Sequence, residues 1–257
     1  MCRHLAYLGP PATLHDLLHA PAHGLLTQAH APREQRYGTV NADGFGAGWY
    51  TADRPAPLRY RRAMPMWADA SFADAARALR AGCVVAAVRD ATLGFGPDES
   101  CAQPFRADTW LFSHNGAVAD DAAVYARLGV PPPHGALDAR TPVDSAPLFA
   151  HALRAWRSGA DLGAGLAATV RAARACSPGR YNLLAADGHR IAATAAGDTL
   201  YTLRRGGGVW LASEPFDDDP AWRPVPDGSV VTADADRTAV APIDRERGEP
   251  CSASTST

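Results

Sequence analysis

Apolar residues fall along this chain in short runs separated by turn-forming segments, and the spacing within each run distinguishes strands from helices. Residues 2–8 alternate too little for a strand with one wet face and predict a buried one. Thr13 starts a short helix over residues 13–18, which Pro21 closes. Residues 41–50 begin polar and turn-forming and end aromatic. They predict a tight turn feeding a strand, with glycines that let another backbone come close. Residues 58–63 predict a strand, 71–80 an amphipathic helix capped by Ser71, and 83–88 a buried strand. A further apolar strand over 109–113 runs into His114-Asn115-Gly116, where asparagine followed by glycine at a strand end predicts a turn. Helices are expected over 118–128, 147–156 and 161–175, with a proline-stiffened loop at 130–135. Strands then return at 180–186, 190–195, 199–204, 209–213 and 229–232, joined by glycine-containing turns. This order, with no repeat and no visible boundary, predicts one α+β domain over 2–247, built of two antiparallel sheets layered with helices. The small polar residues of 248–257 are expected to form a disordered tail.

With 257 residues, 47% of them hydrophobic and 20% charged, the chain can bury a full core. A net charge of −2 gives no basic footprint, so neither nucleic acid nor an anionic membrane is expected as a partner. Every basic side chain besides histidine is arginine, which fits a coding bias shared with the abundant alanine and proline. The five cysteines, Cys2, Cys83, Cys101, Cys176 and Cys251, are widely spaced and form no CxxC pair, so neither a disulfide framework nor a zinc site is indicated. No run reaches the roughly 18–20 apolar residues of a membrane span, and no secretory signal opens the chain. A cytoplasmic protein is expected.

Candidate chemistry begins at Cys2. Removal of Met1 would make it the N-terminus, and its α-amine, with a pKa of about 7.7–8.0, could take the thiol's proton. The competing reading is a small buried residue at a strand start. Arg89, where a buried strand meets a loop, is placed either to hold a carboxylate in a fork or to make a surface salt bridge with Asp90 or Asp98. The Asn115 amide and the Gly116 N–H beside it make a donor pair suited to an oxyanion, and His114, a neighbour of that pair, is expected to contact the substrate. Asp144 reads as an N-cap of the helix that follows, or as the partner of a substrate ammonium. The glycines of 44–48 fail as a phosphate loop, since no Lys-Ser/Thr follows and the segment enters a strand. His15, His19 and His23 have a spacing that could align metal ligands, but Pro21 interrupts the helix that would do so.

These stretches stand in the order found in the class II glutamine amidotransferases: Cys2, Asn41-Ala42-Asp43-Gly44-Phe45-Gly46-Ala47-Gly48-Trp49-Tyr50, Arg89-Asp90-Ala91-Thr92-Leu93-Gly94, Ser113-His114-Asn115-Gly116 and Asp144-Ser145. The chain resembles that family of N-terminal-nucleophile hydrolases from Met1 to about Ile243. The resemblance implies a four-layer αββα sandwich with Cys2 as nucleophile. It further implies that Arg89 binds the α-carboxylate of a γ-glutamyl group and Asp144 its α-ammonium. Asn115 and Gly116 would form the oxyanion hole, and Thr92 would help position the glutamyl end. No metal or other cofactor is implied, and the partner is a small γ-glutamyl substrate. Ala87 and Ala146 stand where the wider family often has a histidine and an acidic residue. Within the family, Met1-Cys2-Arg3-His4 together with Ala212-Ser213-Glu214-Pro215-Phe216-Asp217-Asp218-Asp219-Pro220 and Trp222-Arg223-Pro224-Val225-Pro226 resembles the branch that hydrolyses γ-L-glutamyl-hercynylcysteine S-oxide in ergothioneine biosynthesis. A glutaminase subunit feeding ammonia to a separate synthetase, or a non-catalytic binding protein, would share the same glutamyl contacts. For the trimethylammonium of the leaving group, Trp67, Trp222, Tyr37 or the acidic run Asp217-Asp218-Asp219 could supply a wall.

Overall fold

A computed structural model describes residues 2–91 and 98–244, so Thr92 and the tail 248–257 lie outside the described residues. The strands are β1 (Arg3–Thr13), β2 (Phe45–Thr51), β3 (Arg54–Arg62), β4 (Arg80–Val88), β5 (Phe105–Ala107), β6 (Trp110–Val118), β7 (Gly179–Ala186), β8 (Ile191–Ala195), β9 (Tyr201–Arg205), β10 (Gly208–Ala212), β11 (Arg223–Pro224), β12 (Ser229–Ala233) and β13 (Thr238–Pro242). They form two sheets, ordered β11-β9-β10-β1-β4-β2-β3 and β13-β12-β8-β7-β6-β5, in which every neighbouring pair is antiparallel.

The inner faces meet over small and branched residues, among them Ala6 and Val85 from the first sheet and Leu111, Leu184 and Ala193 from the second. On the outer face of the first sheet, α1 (Leu14–Leu18), α2 (Leu25–His30) and α3 (Ala70–Ala78) close a core around Leu5, Phe45 and Phe72. A short α4 (Asp121–Val124) precedes α5 (Ser145–Arg157) and α6 (Leu162–Arg174), which cover the second sheet around Phe112, Phe149, Leu166 and Leu183. The result is the expected αββα sandwich. Central strands are covered on both faces, which is why β1 and β4 read as nearly continuous apolar runs without alternation.

Gly46 shows why glycine sits in β2. A Cβ there would run into the carbonyl oxygen of Gln103, two residues before β5, so the close approach of that backbone depends on the missing side chain.

Two expectations are corrected. Asn115-Gly116 is no turn: β6 continues to Val118 and pairs throughout with β7, Asn115 opposite Asn182 and Gly116 opposite Tyr181. The helix expected over 118–128 is α4 alone, followed by a wider helical turn over Tyr125–Gly129. No helix among the described residues is long and apolar enough to cross a membrane.

Candidate active site

Cys2 immediately precedes β1, and the pairing of Arg3 with Val88 carries it to the level of Arg89 at the end of β4. Phe45 also pairs with Val88, so Asp43 and Gly44 arrive at the same edge. Backbone hydrogen bonds fix the junction, from Arg89 N to Gly44 O (2.7 Å) and from Asp43 N to Arg89 O (2.9 Å). The Asp43 carboxylate also accepts from Ala91 N (2.8 Å). Arg89 is only 4% exposed and its Nη1 donates to Asp43 O, which rules out a surface salt bridge as its role. The Cys2 thiol lies 4.0 Å from Asp90 O. Burial pushes that thiol above its ordinary range, Arg89 draws it down and Asp144 pushes it further up. Both charged residues therefore act on the sulfur.

The second sheet meets this edge through a chain of polar groups. Ser113 Oγ donates to Gln103 Oε1 (2.8 Å), so the His4 Nδ1 beside it at 3.1 Å must carry the proton of that contact. His4 lies opposite Ala87 in the β1–β4 pairing, and its ring thus bridges the two sheets. Ser213 Oγ accepts from His4 N (3.0 Å) and from Asn115 Nδ2 (3.3 Å), which ties Asn115 to β1 two residues along from Cys2. The Asp198 carboxylate 3.5 Å from Nδ2 can only accept, so the amide nitrogen must face it.

His114 points to the opposite face of β6. Its Nε2 donates to Arg180 O (2.9 Å), and its Nδ1 lies 2.9 Å from Ser145 Oγ, which also reaches Asp144 Oδ1 (3.2 Å). Both ring nitrogens are thus engaged by the protein, and burial lowers the ring's pKa. The substrate contact expected of His114 is replaced by support from behind the donor pair. Gly116 has its own constraint, since a Cβ would collide with the Arg180 carbonyl and the His114 ring. Asp144 stands at the N-cap position of α5 as expected, but its carboxylate makes no cap bond and instead accepts from Val118 N (3.4 Å) and Ser145 Oγ.

Beneath Cys2 lies an ion network that the sequence did not reveal. Arg3 is fully buried, and its Nε donates to Cys2 O (2.9 Å). Its guanidinium faces Asp198 Oδ2 at 3.1 Å and Glu214 Oε2 at 3.8 Å. Glu214 in turn accepts from His23 Nε2 (2.7 Å), Arg33 N (3.2 Å) and Glu34 N (2.8 Å). Its signal was the Ser213-Glu214-Pro215 stretch, legible as a resemblance but not as an ion pair with Arg3. His23 is drawn away from His15 and His19, which stack on each other at 5.7 Å. No group of three or more His, Cys, Asp or Glu converges as a metal site among the described residues.

The suggested cation walls also separate. Trp222 is buried edge-on against Phe216 and donates to Asp217 Oδ1 (2.8 Å), while Asp217 and Asp219 both pair with Arg205. Trp67 meets His30 edge-on. Tyr37 keeps 55% of its surface exposed, with the Arg180 guanidinium 4.2 Å from its ring centroid.

His4 makes the fold acid-sensitive. Burial, followed by the neighbouring Arg3 charge, lowers its pKa to about 3, whereas the unfolded chain protonates it near the ordinary value of about 6.5. Below about pH 6.5 the unfolded state therefore binds a proton that the folded state refuses, so this contribution is complete above that pH and is lost as the pH falls toward 3. Burial of His19, with a pKa of about 4, acts in the same direction. Thermal unfolding should show a midpoint that falls from pH 7 to pH 4, and His4→Gln should flatten the slope. A native midpoint constant over that range would contradict this.

The sequence profile of the class-II glutamine amidotransferases matches residues 27–207. The chain is 45% identical over 244 residues to the γ-glutamyl-hercynylcysteine sulfoxide hydrolase of Mycolicibacterium smegmatis, an overlap of 95% of this chain and 100% of that one. A protein of the same name from Mycobacterium tuberculosis is 41% identical over 96% of this chain and 99% of its own. Among solved structures, a glutamine aminotransferase class-II domain protein from Silicibacter pomeroyi superposes with a TM-score of 0.69 at 24% identity, covering 95% of this chain and all of that one. The glutamine phosphoribosylpyrophosphate amidotransferase of B. subtilis gives 0.68 at 15% identity, over 94% of this chain and 49% of its own.

Proposed function

The chain belongs to the class-II glutamine amidotransferases, and from that premise we propose that it is the amidohydrolase that cleaves γ-L-glutamyl-hercynylcysteine S-oxide into glutamate and hercynylcysteine S-oxide in ergothioneine biosynthesis. Support comes first from relatives of that name that match nearly end to end at 41–45% identity. The observation that carries the chemistry is Cys2 at the start of β1 beside the β4 end that bears Arg89, with Asn115 of the second sheet tied through Ser213 to His4, two residues along. A γ-glutamyl group offers a carboxylate for Arg89 and an ammonium for Asp144. Its γ-carbonyl is then left at the sulfur.

Loss of Met1 frees the Cys2 amine, which takes the thiol proton as Sγ attacks the γ-carbonyl carbon. Asn115 Nδ2 and Gly116 N–H stabilise the tetrahedral oxyanion. Both present partners of Nδ2 are at long range, so its hydrogens can turn to the new charge. Collapse breaks the C–N bond, and the leaving amine takes the proton from the α-ammonium. Water then attacks the thioester and gives a proton to the amine. The departing sulfur recovers it, and glutamate leaves. A reducing cytoplasm would keep Cys2 a thiol.

Release of glutamate from synthetic γ-L-glutamyl-hercynylcysteine S-oxide, followed by mass spectrometry and compared with glutamine, tests this reading. Preference for glutamine, with dependence on a second protein, would replace it by the ammonia-supplying alternative. Arg89→Lys and Asp144→Asn should each raise KM by about 10–100-fold, the loss of a charge-assisted contact to the glutamyl end. An unchanged KM in either variant would remove that residue from the glutamyl site.

A further inference from the structure

Arg89 and Asp144 account for the glutamyl half of the substrate and leave the other half without a binding surface. In the proposed reaction that half is a betaine, carrying a trimethylammonium and a carboxylate close together. Residues 31–44 are held against the site at both ends, with Arg33 N and Glu34 N on the Glu214 carboxylate and Asn41 N on Ala29 O (2.6 Å). Within the segment, Gln35 Nε2 donates to Tyr37 O (3.0 Å) and Asn41 Nδ2 to Gln35 Oε1 (2.9 Å), so Tyr37 sits on a braced loop.

Tyr37 and Gly38 reach across the site. Gly38 abuts the carboxylate of Asp90, the residue whose carbonyl lies beside the Cys2 sulfur. The Tyr37 ring lies under the guanidinium of Arg180, whose own carbonyl holds His114 and presses on Gly116. One side of this strap therefore meets Asp90 beside Cys2, and the other meets the side chain of Arg180, whose backbone lies behind Asn115 and Gly116. Beyond Arg180 opens a cleft of about 260 Å³, with Arg36, Thr199, Tyr201 and Asp227 in its walls. Gly197 lines it too and packs close to the Arg180 side chain, at 3.1 Å from an added Cβ to Cγ. Asp198, whose carboxylate faces Asn115, also borders the cleft.

We infer that Tyr37 and Arg180 are the specificity-determining pair for the leaving group, with the trimethylammonium on the Tyr37 ring and the carboxylate on Arg180. This rests on the proposed substrate. The ring face already takes a cation at 4.2 Å, within the range of a cation–π contact. Two cations on one ring would repel, so Arg180 must turn aside when the betaine arrives, and the betaine's carboxylate gives it a partner. The remainder of the leaving group extends into the cleft, where Arg36 and Asp227 present both charge signs.

The test compares γ-L-glutamyl-hercynylcysteine S-oxide with an isostere in which a neutral tert-butyl group replaces the trimethylammonium. Native protein should show a KM for the cationic substrate lower by roughly tenfold, the size of a partly desolvated cation–π contact. Tyr37→Phe should keep that ratio, and Tyr37→Leu should bring it to about one, through KM rather than kcat. Arg180→Gln should raise KM for both substrates alike, because both retain the carboxylate. Native discrimination that survives Tyr37→Leu would overturn the inference while leaving the proposed reaction standing. Native protein that ignores both compounds yet hydrolyses other γ-glutamyl amides would remove the proposed substrate, and this inference with it.

Discussion

Cys2→Ala should lower glutamate release by about a thousandfold or more while the protein remains folded. Cys2 sits at the start of β1, small and 8% exposed, so alanine fills the position with little disturbance of the core. Catalysis is another matter, because none of the other described cysteines is placed to take over, and Cys176, just past α6, donates its thiol to Ala172 O (3.1 Å). Cys83 is fully buried between the sheets, and burial pushes its thiol up to about 12. Cys101 is raised by burial too and lies in the core under α5. Burial also raises Cys2, so its resting form is the neutral thiol and attack requires a base within reach. The α-amine released by methionine removal supplies that base, and kcat/KM should accordingly rise as the pH passes through about 7.7–8.0. Protein that retains Met1 has no such amine on the cysteine and should resemble Cys2→Ala. Mass spectrometry of the mature N-terminus and a glutamate assay decide the matter. Normal turnover in Cys2→Ala would end the nucleophile assignment.

The sandwich was legible because its signals are local. Strands buried on both faces read as unbroken apolar runs, and α5 and α6 carry apolar stripes at helical spacing, so their limits differ from expectation by only one or two residues. Asn115-Gly116 was misread because a turn and a close backbone approach ask for the same residue. Sequence shows a glycine where a Cβ cannot fit, but not whether the obstacle is the chain's own reversal or, as here, the carbonyl of Arg180 on the next strand. The short α2 carries too few residues for a period to emerge, and the edge strand β13 buries none of its five residues fully, so no apolar face marks it. Cys2, Arg89, Asn115, Gly116 and Asp144 were nominated through residue type and order. Their buried supports were not, because Arg3 meets Asp198 across 195 positions of chain and no spacing rule covers such a distance.

That hidden support leads to the second large effect. Arg3→Met should destabilise the fold by about 3–5 kcal/mol, because it strands the carboxylates of Asp198 and Glu214 in the interior without their cation. At roughly 2–4 °C per kcal/mol for a chain of this size, the thermal midpoint should fall by about 10 °C. Turnover should fall as well in the fraction still folded. Arg3 Nε holds the Cys2 carbonyl, and Asp198, once released from Arg3, no longer fixes the side of Asn115 that carries the donor hydrogens. Charge can be separated from packing by adding Asp198→Asn to Arg3→Met, which removes one stranded carboxylate but leaves the methionine in place. If the uncompensated charge dominates, the double variant should regain part of the lost stability while kcat stays low, a non-additivity visible in urea unfolding. A double variant less stable than Arg3→Met would assign the cost to packing around position 3. A loss below about 1 kcal/mol for Arg3→Met alone would mean that the network contributes no more than a surface pair.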